Sequence, residues 1–285
     1  MTTILSWNIQ YGKGCDGLTD PARIRREIGR IGLPDVICLQ EVSDGFADLD
    51  AGADQVAVFA GLFDGYHPVF APGIDRSGSD GRRQRFGNMV LSRLPVLETE
   101  MHLLPRPADP SVRHMRRVAV AVMVASAAGP LRVATTHLEF FAASQRRAQV
   151  QQIRSLSAEW LDNAARPPQP GRNTYAAPPP VAGLVWCGDF NLVPADPEYA
   201  ALLAPLPGEA GRLQDAWTLL RGTAPHLPTC GIHDAAQWPE GAHARDFFFV
   251  CPALQDRVVA LDTDTDTAAS DHQPLWLTLA DGAAA

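Results

Sequence analysis

The sequence predicts a layered α/β protein. Three observations predict it: short apolar runs of strand length, stretches with helical spacing between them, and one pair of runs joined tightly enough for an antiparallel hairpin. The runs lie at 3–8, 35–40, 86–92, 118–125, 131–137, 184–189, 246–251 and 274–279. They are rich in Val, Ile, Leu and Phe and are bounded by Gly, Pro or Asp. Asp20 followed by Pro21 is a cap and first-turn pair, after which Ile24, Ile28 and Ile31 recur at helical spacing. A longer helix is predicted over 142–162, with Val150, Ile153, Leu156 and Trp160 on one face. Gly129-Pro130 is the turn signal between the paired runs.

The chain of 285 residues is near the upper size of one hydrophobic core and is read as a single domain over 1–285. The stretch 166–180, RPPQPGRNTYAAPPP, has too much proline for helix or strand and no apolar periodicity. It is expected to be an exposed insertion between the long helix and the run at 184. With 46% hydrophobic and 20% charged residues, the composition is that of an ordinary globular protein. No apolar run is long enough to span a membrane, and the first residues lack the features of a signal peptide. The five cysteines are isolated and never form CxxC, which argues against a zinc site and for a reducing compartment. A cytoplasmic protein is expected, with no obligate protein partner evident.

The formal net charge of −8 means that an anionic substrate must be met by local positive charge. The region 76–117 offers it, and Arg83, Arg85 and Arg117 are candidate substrate-binding residues within it. A solvated loop system is the competing reading of any one of these arginines.

Polar, metal-competent side chains stand just past four apolar runs: Asn8 after ILSW, Glu41 after VICLQ, His137 after VATT and Asp189 after LVWCG. Strand ends project such groups into a shared cleft from rigid supports. Asp246, opening DFFFV, and the pair Asp271-His272 before the last run are further candidates. In GDFN, Asp189 and Asn191 are two residues apart and project to one side of extended backbone. A lone Asn, Glu or His is more often a turn former or a satisfied structural group; their joint order carries the argument.

The motifs SWN (6–8), LQE (39–41), GNMVLSR (87–93), THLE (136–139), GDFN (188–191), RDFFFV (245–250) and SDH (270–272) together resemble the endonuclease/exonuclease/phosphatase superfamily. The resemblance implies a four-layer sandwich of two mixed β-sheets flanked by helices, with the site at one edge. It also implies a phosphoesterase using Mg²⁺, with Mn²⁺ as a substitute, held by Asn8, Glu41 and Asp271. Magnesium favours hard oxygen ligands of this kind. By the same resemblance His137, Asp189, Asn191, Asp246 and His272 are catalytic. Asp246 orients His272, Asp189 positions or deprotonates the water, Asn191 holds the phosphate, and His137 donates to a phosphate or leaving oxygen.

The histidine of THLE is absent from apurinic endonuclease relatives and present in deoxyribonuclease-I-like, sphingomyelinase-like and tyrosyl-DNA phosphodiesterase-like members. THLE followed by Arg146, Arg147 and Gln149 resembles the last of these. Ala244 stands where the family often has arginine, so that arginine's role has no direct counterpart. The expected activity is hydrolysis of phosphodiester bonds of nucleic acid or a nucleic-acid adduct. The alternatives are a phospholipid or other small phosphoester substrate and, from a different class, a silent binding module. Asp262, Asp264 and Asp266 alternate like a calcium loop, but Thr267 and Gln273 stand where Gly and Glu are required. A solvated connection is expected there.

Overall fold

The computed structural model describes residues 1–208 and 210–282. In chain order the strands are β1 (Thr2–Asn8), β2 (Val36–Asp44), β3 (His67–Ser77), β4 (Arg83–Ser92), β5 (Val96–Leu103) and β6 (Val118–Ser126). They continue with β7 (Gly129–His137), β8 (Gly183–Asp189), β9 (Gln214–Asp215), β10 (Asp246–Val250), β11 (Val258–Thr263) and β12 (Leu275–Leu279). The α-helices are α1 (Pro21–Ile31), α2 (Ala47–Asp50), α3 (Gln55–Leu62), α4 (Ala143–Ala165), α5 (Pro197–Leu203) and α6 (Ala216–Arg221).

These strands form two six-stranded sheets, ordered β11-β12-β1-β2-β4-β3 and β5-β6-β7-β8-β10-β9, flanked by helices. Each is mixed. β1 pairs parallel with β2, and β7 parallel with β8. Parallel neighbours need a long crossover, which α1 and α4 supply. Asp20 caps α1 by accepting from Arg23 N, and Pro21 opens its first turn, as the sequence predicts.

The central strands are apolar on both faces because both are covered. Ile4, Val36, Cys38 and Val90 face Val120, Val122, Val133 and Cys187 in one buried cluster between the sheets. Leu5, Trp7, Ile37, Leu39, Met89 and Leu91 face the other way, against Ile24 and Ile28 of α1 and Phe59 of α3. The predicted face of α4 is buried too: Trp160 stacks on Trp186 of β8 at 5.4 Å between ring centroids.

The eight predicted strands are all present. The hairpin differs in detail, because β7 starts at Gly129, so Ala127-Ala128 make the turn. Strands β3, β5 and β11 lie at sheet edges where no strand was expected. One expectation is corrected: Asp262 belongs to β11, opposite Trp276, and Asp264 is ion-paired with Arg30 at 3.2 Å. Only the stretch after Thr263 is an open connection. Residues 166–180 are exposed throughout, with one short 3₁₀ turn at Asn173–Tyr175.

Candidate active site

Strand register brings the motif residues together. Asn8 ends β1 beside Gln40 of β2, while His137 ends β7 beside Asp189 of β8, and Asp246 opens β10 opposite Asp189. Two local departures from regular strand aim the side chains. The β2·β4 register shifts between Leu39 and Val42, and Glu41 within that bulge has φ +61°. In a regular strand Glu41 would follow Leu39 onto the helix-covered face. The bulge turns it instead toward Asn8, whose Nδ2 donates to Glu41 Oε1 at 3.0 Å. A left-handed residue other than glycine costs about 1–2 kcal/mol, and Asn191, at φ +50°, is a second one. The other departure is Gly188, at φ +134°. A Cβ there would collide with the Thr136 carbonyl oxygen, so only glycine lets β8 run this close to β7.

Asn8 links the halves of the site, donating also to Asp189 Oδ2 at 3.0 Å. His137 Nε2 stands 3.4 Å from Asp189 Oδ2, and its Nδ1 3.8 Å from Glu41 Oε1. His272 Nδ1 is 2.8 Å from Asp246 Oδ2, which also accepts from Thr229 Oγ1 at 2.6 Å. The far nitrogen of the same ring, Nε2, is 3.7 Å from Asp189 Oδ2. The 270–272 segment is tied down by Ser270 Oγ donating to Asn8 O at 2.7 Å and Trp7 Nε1 donating to His272 O at 2.8 Å. Asp271 Oδ2 accepts from Gln237 Nε2 at 2.6 Å and Trp238 Nε1 at 3.3 Å. Asn191 lies beside Asp189 on the loop after β8. Its Nδ2 donates to Leu138 O at 2.9 Å and its backbone N–H to Asp189 Oδ1 at 2.9 Å, so it braces the loop and the carboxylate.

Burial and mutual fields set the charge states. Burial raises Glu41, the charge of Asp271 raises it further, and its carboxyl reaches about 7. Burial pushes the His137 imidazole well below its usual range and the Arg117 charge adds to this, so it is neutral at pH 7. Burial would lower His272 as well, but Asp246, Asp189 and Asp271 outweigh it and hold the ring well above its usual range, as an imidazolium. Asp189 sits below the usual carboxylate range: burial opposes this, and the charge of His272, with hydrogen bonds from Asn191 and Asn8, prevails. Burial lifts Asp246 to about 6 against the pull of His272.

A sequence model described as the endonuclease/exonuclease/phosphatase family matches residues 5–272. The chain belongs to this family. No curated protein matches in sequence. Among solved structures, an endonuclease/exonuclease/phosphatase from Beutenbergia cavernae DSM 12333 is similar with TM-score 0.66 and 23% identity, over 98% of this chain and 71% of that one. A humanized D. rerio TDP2 gives 0.62 and 21%, over 98% of each chain. The mannosyl-6-phosphatase Bt3783 of Bacteroides thetaiotaomicron VPI-5482 gives 0.65 and 15%, over 98% and 100%. At these identities the likeness speaks for the fold.

Enzymes of this family are typically divalent-metal dependent, and the donor set suits such an ion. Glu41 and Asp271 are two carboxylates in each other's field: burial raises Glu41 to about 7 and the charge of Asp271 adds to the rise. Hard oxygen donors of this kind suit a hard divalent cation. Asp189, Asp246 and His272 also offer ligand atoms within 4.8 Å of one another. There the Asp246–His272 hydrogen bond occupies the facing atoms, which favours proton handling over metal binding.

The three arginines expected at the substrate take different places. Arg117 is buried against Glu139, Nε to Oε2 at 3.1 Å, near enough to act on Glu41 and His137, and its Nη1 is buried without a partner among the described residues. Arg85 is ion-paired with Asp44 at 2.5 Å, and exposed Arg83 with Asp75.

Sequence reasoning missed Thr229, Gln237, Trp238 and the role of Glu139. Glu139 accepts from Met115 N and Phe141 N as well as Arg117, locking the loop after His137. A buried acid directly after an apolar run was its only signal. Beside Ala244, Arg245 packs between Trp238 and Phe140, its guanidinium carbon 4.8 and 5.3 Å from the ring centroids, and thereby backs the loop that holds Asp271.

Proposed function

We propose that this family member is a Mg²⁺-dependent phosphodiesterase acting on nucleic acid or a nucleic-acid adduct. The single observation that carries the reading is the bridge made by Asn8. Its amide joins Glu41, half of a carboxylate pair suited to a cation, to Asp189, a carboxylate flanked by two imidazoles. Glu41 and Asp271, with Asn8, would hold the ion, which supplies charge neutralisation at the phosphate.

The chain's own residues divide the remaining work. Asp189, anionic at neutral pH, orients the attacking water and accepts its proton. Imidazolium His272, braced by Asp246, places positive charge beside the oxygens on which negative charge develops. Neutral His137 has one N–H to donate to a phosphate oxygen. Asn191 acts one step back, by fixing Asp189.

Two features support nucleic acid over a lipid or small ester. Exposed Arg106, Arg113 and Arg116 have no carboxylate partner within ion-pair distance among the described residues. They also belong to the loop that leads into Arg117. The test is a substrate panel with Mg²⁺: bis-p-nitrophenyl phosphate, the corresponding monoester, a single-stranded oligonucleotide, and vesicles containing sphingomyelin. The diester and the oligonucleotide should be hydrolysed, and the oligonucleotide should have the highest kcat/KM. Preference for the vesicles or the monoester would overturn the reading.

A further inference from the structure

The open edge of the sandwich carries a groove of about 650 Å³. Its walls are the two strands that end their sheets on this side, β3 and β5, and the segment leading into β6 closes it. The closure is tight at Gly73, where a Cβ would stand 2.6 Å from the Arg116 carbonyl oxygen, and β3 is bulged between Pro72 and Ile74.

Register ties this groove to the reaction centre. Pro72 pairs with Gly87 and Gly87 with Val42, so the groove begins level with the Glu41 bulge, two strands across. At a strand spacing of about 4.8 Å, that is a lateral step of about 10 Å. In the other sheet Leu103 pairs with Val118, and Ala119 with Thr136, which puts the groove level with His137.

The lining has a definite chemistry. Met101 and Leu103 are 51% and 56% exposed on the β5 wall. Arg76, Arg106 and Arg116 line the groove without a carboxylate partner among the described residues, while Asp75, the acid on the wall, is engaged by Arg83. His114 adds a buried Nδ1 that has no hydrogen-bond partner among the described residues. In a chain of net charge −8, three such guanidinium groups in one concavity are a local reversal of sign.

We propose that this groove binds the single-stranded nucleotides flanking the scissile phosphate, with Arg106 and Arg116 on their phosphates and bases against Met101 and Leu103. The inference rests on the phosphodiesterase reading and adds the substrate's form and path to it. A phospholipid has its one phosphate at the reaction centre and leaves these guanidinium groups unmatched. A polynucleotide repeats the phosphate at every residue and offers apolar base faces between, the combination that single-strand sites use. A concave track between two edge strands also suits one strand better than the width of a duplex.

The test separates binding from turnover. Anisotropy of a labelled single-stranded oligothymidylate is read with Mg²⁺ on protein carrying Asp189→Asn, with and without the pair Arg106→Glu and Arg116→Glu. The pair should weaken binding by tenfold or more. It should also lower the slope of log affinity against log salt by about 1.4, since each single-strand phosphate contact contributes about 0.7. In otherwise wild-type enzyme the same pair should raise KM for the oligonucleotide at least tenfold more than KM for bis-p-nitrophenyl phosphate. Equal affinities or parallel salt slopes overturn the proposal. So does tighter binding of a duplex of the same length or of anionic vesicles, and either result leaves the phosphodiesterase reading standing. Wild-type protein that hydrolyses no diester would instead remove that reading, and the anisotropy would still decide the groove.

Discussion

Replacing Glu41 by Gln should stabilise the metal-free protein and abolish its stabilisation by magnesium. The folded-state carboxyl of Glu41 is raised to about 7 by burial and by Asp271, against an ordinary value of 4.5. A raised folded-state value means that the group's contribution to stability is fully present below pH 4.5 and is lost as pH rises through about 7. The difference of roughly 2.5 pKa units corresponds to about 3 kcal/mol at pH 8. The side chain is 21% exposed, so water reduces the effect to about 1–3 kcal/mol. Gln keeps an oxygen for the Asn8 N–H and removes the charge facing Asp271. By thermal melting at pH 8 in excess EDTA, the variant should therefore melt higher, by roughly 2–6 °C for a protein of this size. Mg²⁺ at about 1,000 times its Kd should reverse the order, because it adds about 4.1 kcal/mol to the wild type alone, more than that gap. A variant that melts lower in EDTA, or that gains as much from Mg²⁺ as the wild type, would refute the reasoning.

Three further outcomes are expected. Asp189→Asn and His272→Ala should each lower kcat by about 10² or more, the scale of a lost acid–base group, with circular dichroism unchanged; near-normal turnover in both would mean that the site is misassigned. Trp238→Phe removes the indole N–H that reaches Asp271 and keeps an aromatic ring beside Arg245. It should weaken Mg²⁺ binding about tenfold, the lower end of the cost of losing a partner behind a metal ligand, measured by calorimetric titration, and an unchanged Kd would leave Trp238 a packing residue only. Deleting 166–180 and closing the gap with a short Gly/Ser linker should leave the melting temperature within a few degrees, because the segment is exposed along its length; an unfolded product would show that it docks.

The parts of the fold that were legible in the sequence are those buried on both faces. Strands such as β2 and β8 read as unbroken apolar runs because sheets and helices cover both sides. The strands not foreseen lie at edges. β3 contains Pro68, Pro72 and Gly73, tolerated there because an edge strand pairs on one side only. β5 alternates regularly between half-buried and exposed positions, and its exposed Leu97, Met101 and Leu103 blur the polar half of the pattern. The site was legible for a related reason. Asn8, His137 and Asp189 stand at ends of well-marked strands and Glu41 in the bulge that follows the apolar run of β2, so a polar side chain after an apolar run placed each of them. Thr229, Gln237 and Trp238 come from a stretch without periodicity and act through hydrogen bonds to Asp246 and Asp271, a relation that only the folded chain displays. The Glu41 bulge was equally hidden, since nothing in LQEV marks a shift in register.

The central claim is that Glu41 and Asp271 hold a divalent ion that serves phosphodiester hydrolysis at Asp189 and His272. The most direct measurement is the initial rate of bis-p-nitrophenyl phosphate hydrolysis by EDTA-treated protein as Mg²⁺ is added back, run in parallel on wild type and Glu41→Gln. The account predicts no turnover in chelator, saturable recovery with Mg²⁺ in the wild type, and no recovery in the variant over the same range. Full activity in EDTA, or the same Mg²⁺ curve for both proteins, would contradict it.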